Sequence, residues 1–193
     1  HHLTSLARSA ATVLARPLLP GNRVELLVNG DTAYPAMLET IANARRSITL
    51  STYIFDRDEA GLAFVHALGE AVQRGVEVRV LIDATGTRYS WPSVLGALKS
   101  ERVPHARFLR TFPLRRLLEM NLRNHRKIVI ADGRVGFTGG LNIRVGHWLA
   151  KQPKHPARDL HFRLEGPVVA HLQEVFVDDW YFTTGEALRG EAW

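Results

Sequence analysis

The sequence predicts an α/β sandwich. Short apolar segments with the alternation typical of strands recur along the chain, and stretches with apolar residues at helical spacing lie between several of them. Strands and helices that alternate in this way form layered α/β domains. With 193 residues, of which 46% are hydrophobic, the chain is long enough to build a core of its own.

The first half of the chain holds three predicted strands and two predicted helices. Apolar residues from Tyr34 to Ile41 mark the first helix. A stripe from Leu62 to Val76 marks the second, with Gly75 near its end, where glycine commonly terminates a helix. The strands are predicted at residues 24–28, 48–55 and 76–82, and the third is apolar enough for a central strand.

The second half contains a short predicted helix around residues 94–98 and a closing helix at residues 168–180. A strand is expected near residues 107–109. Another is expected in the run that follows Asn124, where apolar and β-branched residues have period-2 character. Two further strands are predicted at residues 134–138 and 159–164.

Three segments fit neither element type well. Residues 3–15 are either a short amphipathic helix at a membrane surface or a packing arm. Residues 111–124 interleave leucines with arginines, which suits either contact with lipid or a partly buried helix with a solvated charged side. Residues 144–158 are predicted to form a loop close to the active site.

The composition excludes some classes of protein and favours others. The chain has no cysteine, which excludes disulfides and thiolate metal sites. No run of about 18 apolar residues is present, so the sequence predicts no transmembrane helix. A formal net charge of +6 and a pI of about 10.2 indicate an anionic partner.

One motif carries the chemistry. His125 and Lys127 are followed by Asp132, and the glycine pair Gly139-Gly140 then precedes Asn142. On a strand, His125 and Lys127 would project from the same face. An imidazole can act as a nucleophile or a general acid, and a neighbouring ammonium suits a phosphate oxygen. Because Asn142 can add an amide donor to the same oxygens, the motif indicates phosphoryl chemistry.

This pattern resembles the signature of the phospholipase D superfamily, His-x-Lys-x4-Asp followed by Gly-Ser/Gly-x-Asn. Gly140 stands where many members have serine, and the glycine pair is common in the cardiolipin synthase branch. Further stretches, among them Leu50–Phe55, Arg79–Asp83 and Val175–Trp180, resemble the amino-terminal lobe of a bacterial cardiolipin synthase. The resemblance covers residues 24–186. It implies a phospholipase D-like α/β sandwich in which a central mixed sheet is flanked by helices. This sandwich would be one lobe of a two-lobe enzyme.

The resemblance also implies roles for individual residues. His125 would be the nucleophile, and Lys127, Asn142 and Gly140 would bind the substrate phosphate. Asp159 matches the carboxylate that orients the histidine in this superfamily, and a strand-end cap or an ion pair with Arg158 is the alternative. Asp132 belongs to the motif, but the family uses it structurally. No metal or other cofactor is implied, because the lysine and amide groups stabilise the charge.

The activity implied is phosphatidyl transfer through a phosphohistidine, giving cardiolipin from phosphatidylglycerol, with hydrolysis as a side reaction. The expected partners are an anionic phospholipid substrate and a membrane surface, and nucleic acid is not expected. The location implied is the bacterial inner membrane, where this chain would be peripheral. Two alternatives remain: a homodimeric phosphodiesterase or nuclease of the same superfamily, and a non-catalytic lobe that binds anionic membranes.

The chain is divided into an arm at residues 1–21, whose His1-His2 is interpreted as a tag remnant, and a lobe at residues 22–193. One motif is half of a superfamily site. A second motif-bearing lobe is therefore expected, either further along the native polypeptide or in a homodimer partner. The similarity to an amino-terminal lobe favours the first arrangement.

Overall fold

The computed structural model of the protein describes residues 5–6, 9, 11–13, 18–88, 91–109, 123–190 and 192–193. Its seven strands form one mixed sheet in the order β1-β7-β6-β5-β2-β3-β4. β2, β3 and β4 are parallel to one another, and the other neighbours are antiparallel. The strands are β1 Arg23–Val28, β2 Ser47–Thr52, β3 Glu77–Asp83, β4 His105–Phe108, β5 Ile128–Ala131, β6 Val135–Gly139 and β7 Leu160–Glu165.

Four helices cover the two faces of the sheet, which confirms the predicted α/β fold. They are α1 Asn29–Asn43, α2 Glu59–Gln73, α3 Val94–Ser100 and α4 Val168–Thr184. The first three lie on one face over the main core, where Val129 of β5 is buried. α4 lies on the other face, against Ile128 and Ile130 of the same strand. β5 is therefore apolar on both sides, as a strand between two helical layers must be.

Two carboxylates fix the loop that was predicted to lie near the site. Asp58 caps α2 by accepting from the Gly61 N–H at 2.9 Å, and its other oxygen accepts from the Val145 N–H at 2.6 Å. Asp31 of α1 accepts from the N–H groups of Leu149 and Ala150. The segment 144–158 thus contains two short 3-10 turns, Val145–His147 and Leu149–Lys151, that are held by the helices beside them.

The predicted elements are found in the predicted order, with shifts at their ends. β2 stops at Thr52, three residues before its predicted end, and α4 continues to Thr184. Most of the arginine-rich stretch at 111–124 lies outside the described residues. Residues 5–6, 9 and 11–13 of the predicted amphipathic segment are helical, and its other residues are also outside the described ranges. Among the described helices, none is long and apolar enough to cross a bilayer.

Candidate active site

The candidate site lies at the ends of the central strands, on the side of the sheet where β2 and β6 end and β5 and β7 begin. β5 begins opposite the end of β2, because the two strands are antiparallel and Ser51 pairs with Ile128. β6 ends at the same edge with Gly139, which pairs with His161 near the start of β7. The residues just before β5 and β7 therefore meet those just after β2 and β6.

His125 and Lys127 meet around one aromatic ring. The His125 side chain is exposed, and its ring centroid lies 4.2 Å from that of Tyr53. Lys127 is only 8% exposed, and its Nζ lies 5.6 Å from the centroid of the same Tyr53 ring. The Lys127 ammonium also donates to the main-chain oxygen of His125 at 2.7 Å. The structure therefore brings the two predicted residues together.

Burial changes the acidity of this lysine. Desolvation lowers the pKa of Lys127 below its ordinary value of 10.5, and the negative charge of Asp159 opposes part of that effect. An ammonium that is largely removed from water interacts more strongly with an anion than an exposed one does. Lys127 is therefore suited to holding a phosphate oxygen beside His125.

The prediction that His125 and Lys127 lie on a strand is wrong in its boundary. β5 begins at Ile128, so both residues precede it. The main chain here bonds to side chains instead of a neighbouring strand. The Asn124 N–H donates to Asp83, and the Arg126 N–H donates to Asn124 Oδ1 at 3.1 Å. A local turn of this kind competes with strand pairing.

Asn142 is fixed beside the end of β2. Its side-chain Oδ1 accepts from the Ile54 N–H at 3.1 Å, and its main-chain oxygen accepts from the Tyr34 hydroxyl at 2.6 Å. Phe55 and Ile143 form a parallel bridge that holds the same two segments together. Because the oxygen of the Asn142 amide is engaged, its nitrogen is the group oriented to donate to a ligand.

The glycine pair packs directly against the start of β7. Gly139 has a φ of +155°, and a Cβ there would lie 2.8 Å from His161 Nδ1. A Cβ at Gly140 would overlap the carboxylate of Asp159. Gly139 is therefore favoured by its conformation, and any side chain at position 140 would require the Asp159 carboxylate to move.

Asp159 links two segments that are far apart in sequence. Its main-chain N–H donates to Asn29 Oδ1 at 3.0 Å, and its main-chain oxygen accepts from the Asn29 N–H at 2.9 Å. Its carboxylate accepts from the Leu160 N–H at 2.7 Å. Among the hydrogen bonds of the described residues, none joins this carboxylate to His125. The orienting role expected for Asp159 therefore stays a prediction.

A second histidine is buried behind these residues. His161 is 1% exposed, and neither ring nitrogen has a hydrogen-bond partner among the described residues. Burial lowers the pKa of His161 to about 4, despite the opposing charge of Asp159. Burial also lowers the pKa of His147, whose Nδ1 lies 3.0 Å from the oxygen of Ala157. Both rings are therefore neutral at physiological pH.

Asp132 is separated from the other motif residues. It follows β5, at the end of the strand opposite to Lys127. Its carboxylate accepts from the main-chain N–H groups of Arg45, Arg46 and Ser47 at 2.7–3.1 Å. Burial alone would raise the pKa of Asp132, but these hydrogen bonds and the charge of Arg46 lower it overall. The contacts tie the β5–β6 turn to the start of β2.

Sequence reasoning assigned no role to Tyr53 or Asn124. Tyr53 was part of a stretch that carried the family resemblance, and only the structure shows its ring against His125. Asn124 adjoins the motif, but its partners Asp83 and Asp179 are 41 and 55 residues away in sequence. No local spacing signals contacts over such separations.

Comparison with known proteins identifies the family of this chain. Residues 37–180 match the family model described as "Cardiolipin synthase, PLD-like domain". The chain belongs to this family. That result confirms the resemblance drawn from the motif.

Relatives of known name agree with the family. The chain is 38% identical over 182 residues to cardiolipin synthase A of Pseudomonas aeruginosa (strain LESB58), covering 94% of this chain and 36% of that protein. It is 34% identical over 184 residues to cardiolipin synthase 1 of Bacillus anthracis, covering 95% of this chain and 35% of that protein. The chain thus spans little more than a third of the length of these relatives.

Solved structures share the fold at low sequence identity. The phospholipase D family member Nuc from Salmonella typhimurium superposes with a TM-score of 0.65 at 19% identity, covering 88% of this chain and all of that one. Phosphatidylserine synthase of Haemophilus influenzae superposes with a TM-score of 0.60 at 16% identity, covering 81% of this chain and 36% of that one. These similarities support the phospholipase D fold of the lobe.

Proposed function

We propose that the protein is a phosphatidyltransferase that makes cardiolipin from phosphatidylglycerol through a phosphohistidine. The observation that carries the proposal is the placement of an exposed His125 ring beside the buried ammonium of Lys127. The names of the relatives supply the substrate class. The whole reaction requires a second motif-bearing lobe, either in the same polypeptide or in a partner.

In the first half of the reaction, a ring nitrogen of His125 attacks the phosphorus of phosphatidylglycerol. The bond from phosphorus to the oxygen of the head-group glycerol breaks, the ester to diacylglycerol stays intact, and the histidine of the second lobe protonates the leaving glycerol. Lys127 and the Asn142 amide stabilise the charge that develops on the non-bridging oxygens. Asp159 holds the imidazole in the tautomer that attacks.

In the second half, the hydroxyl of another phosphatidylglycerol attacks the phosphohistidine. The histidine of the second lobe, now neutral, accepts the hydroxyl proton, and His125 leaves unmodified. Two phosphatidylglycerols thus give one cardiolipin and one glycerol. Water in place of the second lipid gives phosphatidic acid, which is the hydrolytic side reaction.

The lobe at residues 22–193 would bind the membrane surface as a peripheral unit, with residues 1–21 as its arm. The net charge of +6 favours adsorption to anionic lipid. Binding to phosphatidylglycerol vesicles should therefore weaken as the salt concentration rises.

The test is to incubate the protein together with its second motif-bearing lobe, in the same polypeptide or as the partner, with labelled phosphatidylglycerol vesicles and, separately, with single- and double-stranded DNA. Cardiolipin and glycerol should form, and mass spectrometry without acid treatment should find a phosphatidyl group on His125 in the trapped protein. His125→Ala should abolish both products, while His155→Ala, at an exposed loop position, should leave them unchanged. DNA cleavage without lipid turnover would reject the proposal in favour of a nuclease.

A further inference from the structure

The main chain around His125 lies outside the sheet, so something else must hold it in place. β5 begins only at Ile128, and His125 is exposed. Asn124, the residue before it, is 2% exposed, although its side chain is polar. A buried amide has to be hydrogen-bonded to be tolerated. The partners of Asn124 therefore show what anchors this segment.

Asn124 is bonded through three of its polar groups. Its main-chain N–H donates to Asp83 Oδ2 at 3.0 Å, and its Nδ2 donates to Asp179 Oδ2 at 2.9 Å. Its Oδ1 accepts from the Arg126 N–H at 3.1 Å. Only one orientation of the amide satisfies both side-chain bonds, because a carboxylate cannot donate and an N–H cannot accept. The residues immediately before and after His125, Asn124 and Arg126, are both held by these hydrogen bonds.

The two carboxylates belong to rigid elements. Asp83 ends β3 and is 1% exposed, and its Oδ1 accepts from the Thr85 N–H at 2.8 Å. Asp179 lies on α4, and its Oδ2 also accepts from Arg126 Nη1 at 2.7 Å. Asn124 thus links a strand to a helix on the far face of the sheet.

We infer that Asn124 is a positioning residue, which fixes His125 by joining the end of β3 to α4. The inference rests on the proposed function, in which His125 attacks phosphorus. The main-chain oxygen of His125 also accepts from Lys127 Nζ. A shift of the Asn124 segment therefore displaces both the attacking ring and the contact that holds the neighbouring ammonium.

The decisive variants reverse the polarity of one hydrogen bond. Asn124→Asp keeps the size of the side chain but turns a carboxylate oxygen toward Asp179. Adding Asp179→Asn restores a donor and an acceptor in exchanged positions, with the exposed Arg126 side chain, which shares Asp179 Oδ2 in the unmodified protein, turning into water. Asp178→Asn is the matched control, because it removes a charge from the adjacent, exposed residue of α4.

Asn124→Asp should lower kcat for phosphatidyl transfer by about 10- to 100-fold, with KM changed less than about two-fold, since misplacement of a reacting group acts on the chemical step. The double variant should recover most of the loss, and Asp178→Asn should match the unmodified protein. Asp179→Ala, which removes the acceptor without adding a charge, supplies the same comparison in case Asn124→Asp does not fold.

A second readout does not need turnover. The Tyr53 ring, 4.2 Å from that of His125, should shift the proton resonances of the His125 imidazole in NMR spectra. Asn124→Asp should remove this shift, and the double variant should restore it. Unchanged resonances and kcat in Asn124→Asp would overturn the inference, as would a double variant that recovers neither. Absence of lipid turnover with the second lobe present would contradict the proposed function, and the NMR comparison would still decide the role of Asn124.

Discussion

The carboxylate of Asp159 occupies the space that a side chain at Gly140 would need. The two residues belong to different connections, since Gly140 follows β6 and Asp159 precedes β7. Gly140→Ser should therefore force the Asp159 carboxylate to move and destabilise the fold by about 1 kcal/mol, the lower end of the cost of overpacking, because this carboxylate is a flexible side chain. Gly96→Ser is the control, because a Cβ at this α3 position meets nothing within 4 Å.

A double-variant cycle makes this prediction specific. In a protein that already carries Asp159→Ala, Gly140→Ser should cost much less stability, because the carboxylate that it would displace is absent. Urea unfolding of the four proteins measures the coupling. An equal cost of Gly140→Ser with and without the carboxylate would show that the two positions are independent.

Replacing Lys127 should affect the reaction more than the fold. Lys127→Met keeps the length of the side chain but removes the cation, and kcat should fall by about 10²- to 10³-fold, the usual effect of losing one group that stabilises charge in the transition state. Lys99→Met, at an exposed position of α3, is the control. Phosphatidyl-transfer kinetics of both variants at matched lipid concentration give the comparison.

The pKa of Lys127 should also set the pH above which the rate of phosphatidyl transfer falls. Burial lowers the pKa of Lys127 below 10.5, so the ammonium loses its proton at a lower pH than an exposed lysine does. The rate should therefore fall on the alkaline side at a pH below 10.5. Lys127→Arg should move that limit upward, because a guanidinium stays protonated. An unchanged limit would mean that another group sets it.

Asp132 should contribute to stability and not to the reaction. Asp132→Asn removes a charged acceptor from three main-chain N–H groups, which should cost about 1–2 kcal/mol of unfolding free energy and leave kcat unchanged. Because the pKa of Asp132 is lowered in the fold, its contribution is present above 3.8 and is lost as the pH falls through the lowered pKa. The variant and the unmodified protein should therefore converge in stability at acid pH.

Chemical unfolding at a series of pH values tests this prediction. Asp178→Asn, which removes a charge without those main-chain contacts, should stay close to the unmodified protein throughout. A large loss of kcat in Asp132→Asn, with the fold intact, would instead place this carboxylate in the reaction.

His161 should make the fold sensitive to acid. Its pKa is about 4 in the folded protein against an ordinary value of 6.5, so the unfolded chain takes up a proton first as the pH falls. Stability should therefore decrease from pH 6.5 to 4, by roughly 3 kcal/mol over the whole range at 1.36 kcal/mol per pKa unit. In His161→Gln this part of the pH dependence should disappear, whereas His155→Gln should retain it.

The order and type of the elements could be predicted because the spacing of apolar residues reflects which face of each element is buried. β5 is apolar on both faces and α2 carries a stripe, and each pattern follows from the layer against which the element packs. His125, Lys127 and Asn142 could be proposed as site residues because their spacing matches the family signature, and the structure places the first two side by side. In these cases the information lies within a short segment of the chain.

The remaining features depend on contacts between distant segments. The motif strand starts three residues late because side chains from β3 and α4 bond to Asn124, and neither is near it in sequence. The restricted space at Gly140 arises from the carboxylate of Asp159, which belongs to another connection. Only the arrangement of the whole sheet reveals such constraints.

The pairing of Asn29 with Asp159 has a consequence for how the protein is made. The two residues are 130 positions apart, and they meet only when β7 pairs with β1. Contacts over such separations form slowly, and they require both segments to have left the ribosome. When the motif histidine, His125, has left the ribosome, Asp159 has therefore not yet reached its place beside Asn29. The reactive centre is completed only near the end of translation of the lobe.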